Sequence, residues 1–379
     1  MDFRLNEEEA MLRDTIRKFV EEKVKPRARE IDERAEFPRG EFLAVGALGY
    51  FGMRYPEKYG GTDTSVLGYA LASEELARGS LSLAAACSMQ SLMGTYFIYR
   101  SGNENLIRKF LLPALKGDVI GTICMTEPDS GSDLLSIKTS AKKDGDSYVL
   151  NGQKMWITQA PVADLFTVFA RTASTGKPSD LSVFLVERNT PGLVVGKNIE
   201  KMGVKASVTS EVSFEDCRIP LEYLVGKEGQ GYEFLREILQ EIRIMTAALA
   251  LGVAQAALED AIRYANERVQ FGKPIASYQA IKVHLAEMAT ELEVARIFTH
   301  YAAWRSDEKL ANMKEASMAK LFASETAVRV CDLATRIFGG YGYAMEYDVQ
   351  RYFRDARFTL IGGGTSEILK MIISKELGA

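Results

Sequence analysis

The sequence predicts an α+β multidomain protein in which helices come first, a compact β domain follows and a helical bundle ends the chain. Three observations support this order. Residues 1–120 read as helical, short β-like runs alternate with turn signals after Gly121, and glycine and proline become rare after Gly231. With 379 residues, and with roughly 100–200 residues in a typical domain, the chain is long enough for two or three domains.

The N-terminal domain, predicted at residues 1–120, should begin with an amphipathic helix. Apolar residues recur at the spacing of one helix face, at Leu12, Ile16, Phe19 and Val20. The stretch 67–86 is rich in Ala, Leu and Glu and predicts a further helix. A short helix is predicted at 106–115, where it is interrupted by Pro113.

The middle domain, predicted at residues 121–225, should consist of strands and turns. Tyr148-Val149-Leu150 precedes the dipeptide Asn151-Gly152, which favours a hairpin turn. Two apolar runs and one alternating run predict further strands at 165–170, 181–186 and 208–214.

The C-terminal domain, predicted at residues 226–379, should be built from few long helices. Between Tyr232 and Phe338 the only helix breakers are Gly252, Gly272 and Pro274. The stretch 247–257 is almost entirely small or aliphatic, so this helix should be buried on all sides.

Charge and hydropathy exclude several classes of protein. Lys and Arg number 47 against 51 Asp and Glu, for a net charge of −4, whereas a nucleic-acid binder carries a basic excess or stripe. No apolar run reaches the roughly 18 residues of a membrane span. The acidic start of the sequence does not resemble a signal peptide. We therefore expect a cytoplasmic protein with no membrane span and no nucleic-acid partner.

The metal-ligating residue types are scarce and scattered. Neither a zinc knuckle nor a CxxC redox pair fits the spacing of the four cysteines, which are Cys87, Cys124, Cys217 and Cys331. The two histidines, His284 and His300, lie in helical stretches. We expect buried, inert thiols and no metal site. Any redox chemistry should then depend on a bound organic cofactor.

Four segments concentrate residues that could carry chemistry. The loop 126–133 combines hydroxyls, acids and glycine, and 151–158 contains one of only two tryptophans. Segment 268–275 is a helix end with two cations that could hold a phosphate. In 336–367 two glycine clusters, which let the backbone approach a ligand closely, flank a basic helix. Each segment also has an ordinary explanation, respectively a turn, a core anchor, a solvated helix end and a helix–loop–helix.

Together, in this order and at this spacing, the four segments resemble the acyl-CoA dehydrogenase family of flavoproteins over essentially the whole chain. The resemblance implies an N-terminal helical domain, a middle β-barrel-like domain and a C-terminal four-helix bundle domain. It also implies FAD as cofactor and a homotetramer. The expected reaction is oxidation of an acyl-CoA thioester between Cα and Cβ, with hydride exchanged at flavin N5 and electrons passed to an electron-transfer flavoprotein.

The resemblance also assigns roles to individual residues. The residues expected to bind FAD are Met125, Thr126, Trp156, Thr158, Arg268, Gln270, Phe271, Arg336, Gly340, Thr365 and Glu367. Arg268, Gln270 and Phe271 would reach the FAD of a neighbouring subunit. Arg336 stands where many relatives have Gln. The residues expected to contact the substrate are Ser132, Arg243 and Ser91.

The sequence departs from the family at the catalytic base, which must take the α-proton. Most relatives place a Glu where this sequence has Gly363, and a minority place it where counting gives Ile242. Glu241 could serve after a local shift, but neighbouring helix positions point about 100° apart, so this needs an irregular turn such as a π-bulge. The backbone N–H of Gly363 can still polarise the thioester carbonyl.

Several functions therefore remain open. The favoured one is an acyl-CoA dehydrogenase or enoyl-CoA reductase that acts on an unusual or cyclic acyl chain. A desulfinase-like acyl-CoA lyase would also need no such base. A flavin-binding partner subunit without activity is a further alternative. The missing base supports it, and the retention of the residues expected to bind FAD opposes it.

Overall fold

The computed structural model describes residues 4–378. The N-terminal domain is helical, as predicted. Its helices are α1 (Glu7–Phe19), α2 (Ala28–Arg34), α3 (Arg39–Ala47), α4 (Val66–Gly79), α5 (Leu81–Ser88), α6 (Tyr96–Arg100), α7 (Glu104–Leu106) and α8 (Leu112–Lys116). On α1, Ile16 faces the core, and Val20 begins a π-helical turn that continues the same buried face.

The helix predicted at 67–86 is divided into α4 and α5 at Ser80. Ser80 takes an extended conformation, with φ −155° and ψ 113°, and its hydroxyl accepts the backbone N–H of Leu83. This serine therefore caps the N-terminus of α5. The sequence signal for this break is the Gly79-Ser80 pair, since Gly is a weak helix former and Ser favours the N-cap position.

The middle domain is a curled sheet of seven strands. The strands are β1 (Gly121–Cys124), β2 (Ser140–Asp144), β3 (Ser147–Thr158), β4 (Leu165–Arg171), β5 (Leu181–Glu187), β6 (Leu193–Val195) and β7 (Thr209–Pro220). Their order is β1-β4-β2-β3-β7-β6, and β5 pairs with β4. Both β4 and β5 are buried along almost their whole length, which explains their continuous apolar sequences.

The hairpin prediction at Asn151-Gly152 is wrong. The turn lies at Gly145, between β2 and β3, while Asn151 and Gly152 lie within β3. Gly152 has φ 150° beside a register shift in the β3–β7 ladder, and a Cβ there would lie 2.6 Å from the Cα of Thr139. The glycine is therefore required by a bulge and a close backbone approach.

The C-terminal domain consists of three long helices and two short ones. They are α9 (Gly231–Glu267), α10 (Gln279–Asp307), α11 (Met313–Phe338), α12 (Val349–Thr359) and α13 (Ser366–Glu376), and the two-residue strands β8 (Val269–Gln270) and β9 (Lys273–Pro274) form a small hairpin after α9. Two apolar stretches, Leu81–Arg100 and Gly231–Glu267, have the length and composition of membrane spans, but 89% of each apolar window is buried inside the protein.

Helix α9 crosses α4 at Gly252. A Cβ on Gly252 would lie 2.2 Å from the carbonyl oxygen of Glu74 and 2.7 Å from the Cβ of Ala77. The glycine thus allows two domains to pack backbone against backbone. Since α9 also carries the residues of the substrate site described below, this crossing fixes the site relative to the N-terminal domain.

We predict that Gly252→Ala lowers the free energy of unfolding by about 1–3 kcal/mol because the added methyl overpacks the crossing. Gly40→Ala in α3 is the matched control, since a Cβ there meets nothing within 4 Å; it should be neutral or stabilising by up to about 1 kcal/mol. Urea unfolding measures both. Equal stability of the two variants would contradict the close crossing.

Candidate active site

The first group of predicted cofactor residues lies where β1 ends beside β3. The backbone N–H of Met155 donates to the carbonyl of Thr126 at 2.8 Å. A register shift between Lys154 and Ile157 takes Trp156 out of the ladder. Trp156 has φ 60° and leaves 55% of its surface exposed. A left-handed backbone at an exposed aromatic residue is a strained arrangement typical of binding sites.

A buried ion pair supports this region from below. The Nζ of Lys154 lies 2.8 Å from the carboxylate of Glu127 and 3.1 Å from the carbonyl of Met125. The carboxylate also accepts the backbone N–H groups of Lys138 and Thr139. Burial raises the pKa of Glu127, but Lys154 and these donors outweigh it and hold the pKa below its usual value.

Sequence reasoning missed the structural role of Lys154. It lies in β3 at an inward-facing position and is fully buried. A lysine at an inward-facing position of a strand, with a glutamate in a neighbouring motif, is the signal that could have revealed the pair.

The second group of predicted cofactor residues lines a cleft of about 680 Å³. Arg268, Gln270, Phe271 and Gly340 all face this cleft. Phe271 lies in the turn between β8 and β9 at φ 50° and is 94% exposed. A Cβ on Gly340 would meet nothing within 4 Å, so its backbone is open to a ligand.

The remaining predicted cofactor residues do not line this cleft. Arg336 is mostly exposed and forms an ion pair with Asp332 at 2.8 Å. Thr365 caps α13, where its hydroxyl accepts the backbone N–H of Ile368 at 3.3 Å. Glu367 is exposed in the first turn of α13.

The predicted substrate side centres on a glycine loop, residues 362–364, between α12 and α13. Gly363 has φ 73° and Gly364 has φ 106°, so both occupy the left-handed half of backbone space. A Cβ on Gly363 would lie 3.0 Å from the Oγ1 of Thr246 on α9. The loop is therefore packed closely against α9, and residue 363 presents no side chain there.

Arg243 lies one turn before Thr246 on α9 and is buried. Its Nη1 lies 3.2 Å from the Oγ of Ser317, and its Nε has no hydrogen-bond partner among residues 4–378. Burial lowers the pKa of Arg243 to about 10. A second buried cation, Lys320 on α11, donates to the carbonyl of Gly364 at 2.6 Å.

The irregular turn required for Glu241 to act as base is absent. Helix α9 is continuous from Gly231 to Glu267, and Ile242 faces the core. Both carboxylate oxygens of Glu241 bond the guanidinium of Arg54, at 2.9 and 3.0 Å. Glu241 instead points toward the N-terminal domain, where its charge is paired with that of Arg54.

The two other predicted substrate residues differ in exposure. Ser132 is exposed in the loop between β1 and β2. Ser91 is buried in a π-helical turn, where its hydroxyl bonds the phenol of Tyr69 at 2.5 Å. Ser91 therefore positions Tyr69 instead of presenting a polar group at the surface.

All four cysteines are buried, and burial raises the pKa of each thiol, to about 12 for Cys124 and about 11 for Cys217. Thiols in this state are poor nucleophiles. Among residues 4–378, no three His, Cys, Asp or Glu side chains are grouped as metal ligands would be.

We predict that Lys154→Met destabilises the protein by about 3–5 kcal/mol because it leaves Glu127 buried without its cation. Lys138→Met is the matched control. Lys138 pairs with Asp129 in the same loop, but both side chains are about three-quarters exposed, so its loss should cost no more than about 1 kcal/mol. Chemical unfolding at neutral pH distinguishes the two variants.

The ion pair between Lys154 and Glu127 should make the free energy of unfolding depend on pH. The pKa of Glu127 is lowered in the folded protein, so its stabilising contribution is complete above the ordinary carboxyl pKa and is lost as the pH falls through the lowered value. The stability gap between wild type and Lys154→Met should therefore narrow in acid. A gap that stays constant down to acid pH would contradict this assignment.

Known proteins resemble this chain over its full length. A benzylmalonyl-CoA dehydrogenase of Aromatoleum aromaticum is 55% identical, with 100% of both chains covered. The structure of butyryl-CoA dehydrogenase from Megasphaera elsdenii has a TM-score of 0.96 and 38% identity, with 100% of both chains covered. The FAD complex of PigA has a TM-score of 0.96 and 30% identity, covering 100% of this chain and 99% of that one.

FAD is the cofactor, and the residues fit it. The half-exposed indole of Trp156 offers a surface for a planar ring. The cleft with Arg268 and the open backbone of Gly340 offers a cation and backbone groups for a pyrophosphate.

The N-terminal, middle and C-terminal domain patterns of acyl-CoA dehydrogenases match residues 6–118, 122–217 and 229–378. The chain therefore belongs to the acyl-CoA dehydrogenase family.

Proposed function

We propose that this protein oxidises an acyl-CoA thioester that bears a carboxylate on Cα, as benzylmalonyl-CoA does, and that it releases this carboxylate as CO₂. The proposal depends on one observation: residue 363, where the family resemblance expects the catalytic glutamate, is a glycine in the left-handed region. The name of the 55% identical relative supports the substrate class.

An α-carboxylate removes the need for a base. When the carboxylate leaves as neutral CO₂, the electron pair of its bond to Cα stays on Cα and forms the Cα=Cβ double bond as hydride leaves Cβ. The anionic substrate thus yields a neutral enoyl-CoA, CO₂ and one hydride, and no proton is released. FAD, when bound, accepts that hydride. A missing glutamate is therefore consistent with an active enzyme.

A glutamate at residue 363 would oppose such a substrate. Two like charges at 4 Å repel by about 4 kcal/mol at an effective dielectric constant of about 20. Gly363 removes this repulsion, and its lack of a side chain lets the loop pack closely against Thr246. The backbone N–H of Gly363 remains available to polarise the thioester carbonyl and to stabilise negative charge that develops on its oxygen.

The assembly and the electron acceptor follow from the family resemblance. We propose a homotetramer in which Arg268, Gln270 and Phe271 contact the FAD of a neighbouring subunit. The 94% exposure of the apolar Phe271 supports a contact at this surface. An electron-transfer flavoprotein is the proposed acceptor, and the cytoplasm remains the predicted location.

The α-carboxylate of the substrate should determine how fast the flavin is reduced. The wild-type flavin should be bleached anaerobically by 2-benzylmalonyl-CoA, with one CO₂ released for each flavin reduced. 3-Phenylpropanoyl-CoA, which lacks only the carboxylate, should react at least about 10²-fold more slowly because no side chain takes its α-proton. Bleaching by 3-phenylpropanoyl-CoA at the same rate would overturn the proposal. A flavin that no thioester or enoyl-CoA perturbs would favour the partner-subunit alternative.

A carboxylate introduced at residue 363 should change which thioester the enzyme oxidises. Gly363→Glu should slow the reaction with 2-benzylmalonyl-CoA through like-charge repulsion and should increase bleaching by 3-phenylpropanoyl-CoA by about 10²-fold, since a base is restored. Gly363→Gln is the control because it has the same size and the same backbone strain without the charge. Identical behaviour of the two variants with both thioesters would contradict the role of the missing carboxylate.

Substitution of Glu241 tests whether this residue acts as the catalytic base. Glu241→Gln removes the charge that pairs with Arg54, so it should lower stability, yet the single-turnover rate with 2-benzylmalonyl-CoA should stay within about tenfold of wild type, a change of less than about 1.4 kcal/mol. Arg54→Gln breaks the same ion pair from the other side and is the control. A much larger loss for Glu241→Gln alone would restore Glu241 as base.

A further inference from the structure

Two buried cations beneath the glycine loop have no carboxylate at ion-pair distance among residues 4–378. Five Lys and Arg side chains among residues 4–378 are less than a tenth exposed: Arg78, Lys154, Arg243, Lys320 and Arg351. The first, second and last of these form ion pairs with Glu75, Glu127 and Asp348. Among the same residues, no carboxylate lies within 4 Å of Arg243 or Lys320, whose polar contacts are to Ser317, Met313 and Gly364.

The two cations belong to one closed arrangement. Arg243 contacts Ser317 at 3.2 Å, and Ser317 lies one turn before Lys320 on α11. Lys320 donates to Gly364, and the neighbouring Gly363 packs against Thr246, which lies one turn after Arg243 on α9. The ring of contacts therefore returns to Arg243. The loop that lacks a carboxylate contacts Lys320 directly and contacts the helix that carries Arg243 through Thr246.

Burying a cation without a counter-charge is costly, so sites of this kind are normally completed by an anion. The unpartnered Nε of Arg243 is a free donor within the ring. The hydroxyl of Thr246 donates to the carbonyl of Ile242 at 2.7 Å and is therefore not the donor that an anion would use. The guanidinium is the group suited to bind a carboxylate.

We propose that Arg243, with Lys320 beside it, forms the binding subsite for the α-carboxylate of the substrate. This inference rests on the proposed function and adds the residues that recognise the substrate class. The carboxylate takes the space that a side chain at residue 363 would fill, and its charge completes the buried pair of cations. Gly363 thus serves two purposes, since it removes a competing charge and makes room for the ligand.

The geometry also suits the reaction. The bond from Cα to the carboxylate must stand perpendicular to the thioester plane so that its electrons enter the carbonyl π system. A subsite that holds the carboxylate on the side of α9 fixes that orientation. Negative charge that develops on the thioester oxygen while this bond breaks is stabilised by the N–H of Gly363, before the electron pair forms the Cα=Cβ bond and hydride leaves Cβ.

Malonyl-CoA and acetyl-CoA provide matched probes. They differ only in the α-carboxylate, and neither has a Cβ that can lose hydride, so binding is measured without oxidation from the perturbed flavin spectrum of the FAD-loaded enzyme. Wild type should bind malonyl-CoA at least about tenfold more tightly than acetyl-CoA, a difference of one decade in Kd. Arg243→Gln and Lys320→Met should each reduce this preference, and affinity for acetyl-CoA should change little.

A second readout distinguishes ligand binding from a structural role. Without ligand, Lys320→Met should unfold at equal or higher urea concentration than wild type because it removes a buried charge that has no carboxylate within 4 Å among residues 4–378. Lys314→Met is the control: Lys314 lies on the same helix and pairs with Glu315 at 3.5 Å, and its removal should leave the malonyl-CoA preference unchanged.

Equal weakening of both thioesters by Arg243→Gln and Lys320→Met, or an undiminished preference for malonyl-CoA, would overturn the inference. These outcomes are separate from the test of the proposed function. If wild type releases CO₂ from 2-benzylmalonyl-CoA while both variants keep the malonyl-CoA preference, the function stands and only the subsite is refuted. If wild type releases no CO₂, the function itself is refuted, whatever the binding preference.

Discussion

The close packing of the glycine loop 362–364 against helix α9 is the constraint on which the site depends. It places Gly363 against Thr246 of α9. Helix α11 contacts the same region, since Lys320 donates to Gly364 and Ser317 contacts Arg243. No side chain at residue 363 would fit this packing without displacing Thr246 or entering the substrate space. The loop therefore determines both the shape and the charge of the site. The chemistry proposed for the enzyme follows from the absence of a carboxylate at residue 363.

Buried charges occur in two arrangements in this protein, one that belongs to the scaffold and one that belongs to the proposed binding site. Beneath Trp156 and the other residues predicted to contact the flavin, Lys154 and Glu127 neutralise each other and tie β3 to the loop after β1. Such a pair is costly to break and holds its surroundings in one arrangement. Beneath the glycine loop, Arg243 and Lys320 contact no carboxylate within 4 Å in residues 4–378, and their polar partners are uncharged. The contrast between a completed pair and an incomplete one is the physical basis for assigning the second to a ligand.

The fold was largely predictable from sequence because helical periodicity, alternating strands and the distribution of glycine and proline all agreed. The errors have two different causes. Ser80 breaks a predicted helix through a local cap, since its hydroxyl accepts the backbone N–H of Leu83. The Asn151-Gly152 dipeptide forms a bulge instead of a turn because Gly152 must pass close to Thr139, a contact that lies outside the segment concerned.

The site was predictable only in part. Arg268, Gln270, Phe271 and Gly340, which the motifs assign to FAD, line one cleft. By contrast, the pairing of Glu241 with Arg54 joins residues 187 positions apart and could not be read from either segment. The lack of an acidic partner for Arg243 is likewise a property of three-dimensional packing. Sequence shows which side chain is missing at residue 363, but only the structure shows which charges are left uncompensated beside it.

The central claim is that the bond broken at Cα joins carbon to carboxylate. Isotope effects on kcat/KM with 2-benzylmalonyl-CoA test it most directly, with ¹³C in the free carboxylate in one experiment and deuterium at Cα in another. The account predicts a normal carboxyl ¹³C effect and no primary deuterium effect, with the Cα hydrogen retained in the product. A primary α-deuterium effect without a carboxyl ¹³C effect would contradict it, because a hidden base would then be removing the α-proton.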